Sequence, residues 1–285
     1  MAGAQVRTLT RRDIAWAIRL TDLERWGYTT ADFARLLALA PEGCFVATYG
    51  GKRVGITCTT TYGKVAFLGA VIVDPDFRGK HIGEALLGRA LDHLDAMGVE
   101  TVRLNAYLHV VPWYERLGFR GEYENVRYHG RATGAGTVAQ TIRTMRADEV
   151  SHLSDFDSTF FGANRRALLS RLQAEFVANF LVARDKDGIR GYIVANANGG
   201  SAELGPWVVN PATPETAGHL LHALLSRLGP TQIAFAVPTR NEHHGRMAQK
   251  LRLEVAFRTL RMYRGRDAHR GDPRGIFALA GLEKG

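Results

Sequence analysis

From Asp13 to Leu23 and from Thr30 to Leu39, apolar residues return every three or four positions, which keeps them on one face of a helix. Thr29 and Thr30 supply a cap for the second segment. From Gly43 the period falls to two. Cys44–Tyr49 and Val54–Thr60 read as strands joined by a hairpin turn at Gly50-Gly51, and Val65–Val73 reads as a third. Ile82, Leu86, Leu87, Ala90, Leu91 and Leu94 then trace an amphipathic helix over 82–97, stopped by Gly98. A strand at Thr101–Ala106, a short helix at Trp113–Leu117 ended by Gly118, and a strand after Phe119 complete the series.

A second series follows in the same order. Phe156–Ala178 reads as one helix, Phe180–Arg184 and Ile189–Ala195 as a hairpin around Asp187-Gly188, and Ala202–Val209 as a strand. Helices at Thr216–Leu228 and Glu242–Leu251 alternate with strands at Gln232–Val237 and Phe257–Tyr263. Gly69-Ala-Val-Ile-Val-Asp-Pro75 lies over Gly205-Pro-Trp-Val-Val-Asn-Pro211 in one register, and two similar halves of one fold are the simplest explanation. The predicted class is α/β (α+β): two mixed-sheet domains in tandem, with central, mostly antiparallel sheets flanked by helices. The expected divisions are 1–130, a linker or connecting strand over 131–145, and 146–285. The linker signal is the glycine-rich, aperiodic run from Tyr128 to Gly136.

Composition narrows the classes of function. The 285 residues are 46% hydrophobic and 23% charged, close to a globular average, and no stretch reaches the roughly 20 apolar residues of a membrane-spanning helix. No membrane partner is expected. The N-terminal residues run directly into Thr8-Leu-Thr-Arg-Arg-Asp13 without an apolar secretory core, so a cytoplasmic location is expected. Two cysteines, Cys44 and Cys58, build neither a disulfide framework nor a zinc site, and the histidines lack partners at ligand spacing, so no metal is expected. The net charge of +9 invites a nucleic-acid reading, yet 31 of the 37 basic residues are Arg, spread evenly without a basic block. Attraction of a polyanionic small molecule is the more modest use of that charge, and no nucleic-acid partner is expected.

The densest chemistry lies in Val71-Ile-Val-Asp-Pro-Asp-Phe-Arg-Gly-Lys-His-Ile-Gly-Glu-Ala-Leu-Leu87. A strand, a glycine-containing turn and a helix in this order present unpaired N–H groups at the positive end of a helix dipole, which is an anion cradle. Gly79 and Gly83 allow a pyrophosphate near the backbone, and Arg78 and Lys80 add charge. The run is neither a Walker loop nor a dinucleotide fingerprint.

Val73–Gly83 resembles motif A of the GNAT superfamily of acetyl-CoA-dependent N-acyltransferases, Arg/Gln-x-x-Gly-x-Gly/Ala after the fourth strand. Pro112-Trp-Tyr-Glu-Arg-Leu-Gly-Phe119 resembles the family's aromatic-rich short helix ending in Leu-Gly-Phe, at about the family's separation. The likeness covers roughly residues 5 to 130. The doubled layout resembles bacterial two-domain members whose weaker C-terminal domain opens with Asp-x-x-x-Phe-Gly-Ala-x-Arg, here Asp157 to Arg165. The resemblance implies that Val71, Ile72 and Val73 pair with the pantetheine arm of acetyl-CoA, and that Arg78, Gly79, Lys80, His81, Ile82 and Gly83 hold the pyrophosphate. His81 departs from the pattern, standing where the central glycine belongs. Its backbone N–H still serves.

The resemblance also implies that Tyr114 protonates the departing thiolate; spacing alone equally allows a tyrosine packed on Phe119. Asn105 either bonds pantetheine or caps a strand end. Many relatives place a basic Glu on the fourth strand, but Val65–Val73 holds no acid, which leaves an ordered water chain, Glu203, Asp157 or His109. In the second half Pro214 and Glu215 replace the cradle, so no acetyl-CoA is expected there. That half would instead wall the acceptor pocket, with Trp26, Tyr28, Phe33, Arg165 and Trp207 as candidate lining residues or ordinary core. The implied activity is transfer of acetyl from acetyl-CoA to a primary amine of a small-molecule or peptide acceptor by direct attack. A non-catalytic acyl-CoA sensor or pseudoenzyme is the alternative.

Overall fold

A computed structural model describes residues 3–133 and 141–285. The chain divides into two compact units. The first runs to Leu104 and includes Arg264–Ala268 and Lys284; the second takes Asn105–Tyr263, His269–Glu283 and Gly285.

The first unit starts with β1 (Gln5–Thr8) and the helices α1 (Ile14–Asp22) and α2 (Thr30–Leu39). Thr29 and Asp32 form a capping box at the start of α2, each side chain bonding the other's backbone N–H. The sheet continues with β2 (Cys44–Tyr49), β3 (Lys52–Tyr62) and β4 (Val65–Val73), then α3 (Ile82–Ala96) and β5 (Thr101–Tyr107), of which the last three residues belong to the second unit. Strand order is β1-β2-β3-β4-β5, antiparallel except between β4 and β5. Alternation along the strands separates the two faces. Val46, Ile56 and Ile72 pack with Ile14, Leu20, Phe33 and Leu36 of α1 and α2. On the other side, α3 buries Leu86, Leu87, Ala90 and Leu94. Gly55 lets it approach: a Cβ there would stand 2.9 Å from the Ile72 carbonyl oxygen and 3.0 Å from Leu86. Cys44 and Cys58 are cross-strand neighbours, both buried and neither in a disulfide.

The second unit contains α4 (Val111–Arg116), β6 (Arg120–Ala132), β7 (Ile142–Thr144), α5 (Val150–Phe161), α6 (Arg166–Glu175), β8 (Phe180–Asp185) and β9 (Gly188–Asn198). β10 (Ser201–Val209), α7 (Glu215–Leu228), β11 (Thr231–Pro238), α8 (His244–Lys250), β12 (Glu254–Gly265) and β13 (Ile276–Ala278) follow. Its sheet runs β12-β6-β11-β10-β9-β8-β7, with β13 added on β10. Leu220, Leu221 and Leu224 of α7 pack on Leu204, Trp207, Phe235 and Tyr128.

Three features differ from the sequence expectation. The helix expected over 156–178 is two helices, because Gly162 turns left-handed (φ +88°) where a Cβ would lie 2.1 Å from the His269 carbonyl oxygen. The glycine-rich run from Tyr128 begins as strand: β6 continues to Ala132, and Gly130 admits Leu253, whose Cδ2 would sit 2.8 Å from an added Cβ. The rest of that run, after Thr133, lies outside the described residues. Finally, β6 belongs by sequence to the first series but pairs with β11 and β12 in the second unit. Reciprocally, the residues ending and following β12 lie in the first unit, where Thr101 Oγ1 donates to the Arg266 carbonyl at 2.7 Å.

Candidate active site

In the first unit β4 is paired with β3 along most of its length, but with β5 only at Val65↔Thr101, Ala66↔Val102 and Phe67↔Arg103. Beyond Phe67 the edge of β4 that faced β5 has no strand on it among the described residues. Ala70 turns left-handed (φ +50°) where the register with β3 shifts, a bulge that bends the strand. Ile72 points into the core under α1 and α2, whereas Val71 and Val73 are half-buried.

The chain then enters the cradle. Asp74 Oδ1 accepts from the Asp76 N–H at 3.0 Å, and the Phe77 and Arg78 N–H groups bond back to the Asp74 and Pro75 carbonyls. Gly79 (φ +75°) and His81 (φ +56°) are both left-handed. His81 thus adopts a conformation that favours glycine, at a cost of about 1–2 kcal/mol. The first bond into α3 runs from Ala85 N–H to the His81 carbonyl at 3.1 Å, and no side chain caps the helix. The N–H groups of Gly79 through Glu84 therefore have no acceptor among the described residues, at the positive end of a 15-residue helix. Arg78 donates to Glu24 at 2.6 Å and to the Val73 carbonyl at 3.1 Å. The Lys80 ammonium lies 5.2 Å from the Tyr49 ring centroid and 5.5 Å from that of Phe77, and His81 contacts Glu84.

The second unit repeats the strand–turn–helix with the opposite outcome. β10 and β11 pair in parallel at Ser201–Glu203 and then part, but β13 occupies the edge of β10, with Trp207 opposite Ala278 and Val208 opposite Ile276. The Leu279 N–H donates to the Ala236 carbonyl of β11 at 2.8 Å, and Asn241 Nδ2 donates to the Ile276 carbonyl at 3.0 Å. Gly205 permits this, since a Cβ would fall 1.8 Å from the Leu279 oxygen. Its turn also spends its donors: the N–H groups of Ala212, Thr213, Thr216 and Ala217 bond to Asn210 Oδ1 and to the carbonyls of Asn210, Thr213 and Pro214.

Tyr114 sits on α4, which Gly118 (φ +84°) terminates. Its ring is 7% exposed, 4.8 Å from Trp113 and 5.7 Å from Phe119, and its hydroxyl makes no hydrogen bond among the described residues. Burial pushes the phenol pKa well above its ordinary value, so the hydroxyl stays protonated at neutral pH. Both ends of the Asn105 amide are engaged: Oδ1 accepts from Asn125 and Nδ2 donates to the Leu282 carbonyl.

Trp26, Tyr28 and Phe33 come together in the first unit, Trp26 edge-on to Tyr28 and Tyr28 tilted against Phe33, with centroids 6.3 and 5.2 Å apart. Phe33 is fully buried, and the other two are half-buried. Arg165 and Trp207 are interior residues of the second unit. Arg165 grips Asp157 with two bonds of 2.7 and 2.8 Å, donates to the Gly285 carbonyl, and lies over Phe161. Trp207 packs between Phe235 and Phe277. Asp157, a candidate base, is thus committed to Arg165; Glu203 is held by Arg127 through two 2.7 Å bonds, and exposed His109 stacks on Tyr107. Among the described residues no group of three or more His, Cys, Asp or Glu is placed to hold a metal. Sequence reasoning missed two participants. Glu24 has no local signal, whereas the apolar Ile276-Phe-Ala-Leu run after the Asp272-Pro273 turn carries a strand signal.

Comparison with known proteins completes the description. Residues 12–119 match the model of the acetyltransferase (GNAT) family, and residues 153–278 match that of an acetyltransferase (GNAT) domain. The chain is 26% identical over 272 residues to holothin acyltransferase of Pseudoalteromonas sp., covering 95% of this chain and 89% of that one. It is 44% identical over 100 residues to mycothiol acetyltransferase of Propionibacterium freudenreichii, covering 34% and 31% of the two chains. A Pyrococcus horikoshii structure assigned to the acetyltransferases superposes with a TM-score of 0.85 at 21% identity, over 100% of this chain and 97% of that one. A tandem GNAT protein from the clavulanic acid biosynthesis pathway superposes at 0.61 with 15% identity, over 92% and 98%.

Proposed function

Since the chain belongs to the GNAT acetyltransferase family, with two of its domains in tandem, and is an acyltransferase, we propose that it moves the acetyl group of acetyl-CoA onto a primary amine of a small-molecule or peptide acceptor. The observation that carries this reading is the pairing, in the first unit alone, of a bare β4 edge with a run of free N–H donors at the start of α3.

That combination fits acetyl-CoA on both its chemical ends. The amide-bearing pantetheine arm suits the unpaired edge of β4 at Val71–Val73, where the Val73 carbonyl would exchange Arg78 for the ligand, as an added strand would. The pyrophosphate suits the N–H groups of Gly79–Glu84, with Lys80 adding charge and Arg78 exchanging Glu24 for phosphate. Acetyl-CoA supplies a thioester whose carbonyl carbon an uncharged amine attacks; a C–N bond forms, the C–S bond breaks, the amine loses a proton and the thiolate gains one. Tyr114 is the proton donor in this reading: its buried hydroxyl has no acceptor among the described residues, so its O–H can turn to the departing thiolate. Because β4 carries no acid and Asp157 and Glu203 are already tied to arginines, the proton leaving the amine passes in this reading to water or to exposed His109.

The second unit has no acyl-CoA in this account. Release of free thiol, followed over a panel of primary amines with acetyl-CoA saturating, tests the activity. Turnover with at least one amine, lost in Gly83→Glu, is the expected result. Tight acetyl-CoA binding without turnover of any amine would replace the enzyme by an acyl-CoA sensor.

A further inference from the structure

One face of the second unit's sheet is aromatic where solvent would suit polar residues. The buried cluster uses the face carrying Val126, Tyr128 and Phe235. On the opposite face Tyr107, at the end of β5, lies 5.1 Å from Phe257 of β12, and His109 stacks on Tyr107 at 5.9 Å with planes 21° apart. The Arg127 guanidinium of β6 stands 5.9 Å from the Phe257 centroid and continues the row to Glu203 of β10 through its two 2.7 Å bonds. Between them β11 carries methyl groups: Ala236, which is buried, is in register with Arg127, and half-buried Ala234 with Glu203. Tyr107, Phe257, Arg127 and Glu203 are all partly exposed, and His109 fully so. Rings in a row beside a fixed polar pair form a flat apolar platform with a few aimed hydrogen-bonding groups, the makeup of a small-molecule site.

We propose that this row is the acceptor platform, and that the acceptor is a primary amine carried on an aromatic or heteroaromatic ring, directly or through a short arm; this rests on the acetyltransferase reading. The ring geometry selects a planar partner, since aromatic pairs stack or meet edge to face at these separations. The ion pair selects an N–H donor. Each Glu203 oxygen gives one lone pair to Arg127 and retains another, which an amine N–H can reach. Arg127 faces two carboxylates, Glu203 and Glu283, so selection against a polyamine rests on the rings rather than on charge. The platform's single polar end also gives an aminosugar too few partners for its hydroxyl groups.

The test compares tyramine and tryptamine with spermidine and glucosamine in the thiol-release assay, in wild type, Phe257→Leu and Phe257→Tyr. The aromatic amines should be preferred in kcat/KM by about tenfold or more. Phe257→Leu should raise their KM by about tenfold, with a smaller change in kcat, and Phe257→Tyr should restore it. Acetyl-CoA affinity, titrated separately, should not change in either variant. Preference for spermidine or glucosamine, or an unchanged KM in Phe257→Leu, would overturn the proposal. Should acetyl-CoA itself fail to bind, the acetyltransferase reading falls instead. Ligand-observed NMR of tyramine against wild type and Phe257→Leu then decides the platform alone: saturation transfer lost in the variant sustains it, and equal or absent transfer in wild type refutes it.

Discussion

In the first unit β4 leaves β5 after Phe67 and its edge stays bare; in the second β10 leaves β11 after Glu203 and β13 takes the edge of β10. The turns that follow differ in the same sense. Gly79–Glu84 keep their N–H groups unspent, whereas the 210–217 turn has bonded many of its donors within itself. One shared geometry, a parting of parallel strands followed by a helix, can therefore be kept as a binding slot or filled by the chain's own backbone. The filler uses the same main-chain bonding an extended ligand would use. Filling trades a ligand site for a core: Phe277 enters beside Trp207.

The largest expected effect comes from placing a charge in each turn. Gly83→Glu should lower turnover by about a hundredfold or more, because a carboxylate at the start of α3 opposes phosphate. His219→Glu, at the matching position of the second unit, should leave it within about twofold. Equal losses in an acetyl-CoA turnover assay would dissolve the distinction between the units. Next, Tyr114→Phe should reduce kcat about a hundredfold while acetyl-CoA affinity, read by calorimetry, stays put. A fall in affinity with kcat intact would make Tyr114 a packing residue only.

Opening the filled slot should cost stability and gain no ligand. Phe277→Ala should destabilise the second unit by about 3–5 kcal/mol in denaturant unfolding, and a second acetyl-CoA appearing in that variant would mean β13 alone had masked a working site. The smallest effect concerns acid. Arg7, Arg53 and the Thr10 N–H hold the Asp13 carboxyl far below its ordinary pKa. A depressed carboxylate stabilises fully above its unfolded pKa of about 3.9, and that contribution is lost as pH falls through the folded value. Hydrogen exchange should show the first unit loosening below about pH 4, and Asp13→Asn should remove about 1–2 kcal/mol at pH 7 and flatten that dependence. An unchanged acid profile in the variant would assign the pH response elsewhere.

What is legible in the sequence is local. Gly50-Gly51, Gly98 and Gly118 punctuate the elements that the chain pattern ends at them, and the 69–75 and 205–211 runs mark corresponding strands. The Arg78–Gly83 turn shows itself because its chemistry lies within one turn of helix. What is not legible depends on distant partners. The break at Gly162 answers to the His269 carbonyl, the place of β6 is set by β11 and β12, and the inward course of Arg165 is set by Asp157 and Gly285. The sequence speaks against a second acetyl-CoA only through Pro214 and Glu215. It does not foresee β13, whose three residues are too few to announce which edge they would join.

The most direct test of the contrast is the stoichiometry of acetyl-CoA, titrated calorimetrically into wild type, Gly83→Glu and His219→Glu. The account predicts one site per chain, absent in Gly83→Glu and unaltered in His219→Glu. Two sites in wild type, or one that survives Gly83→Glu and disappears in His219→Glu, would contradict it.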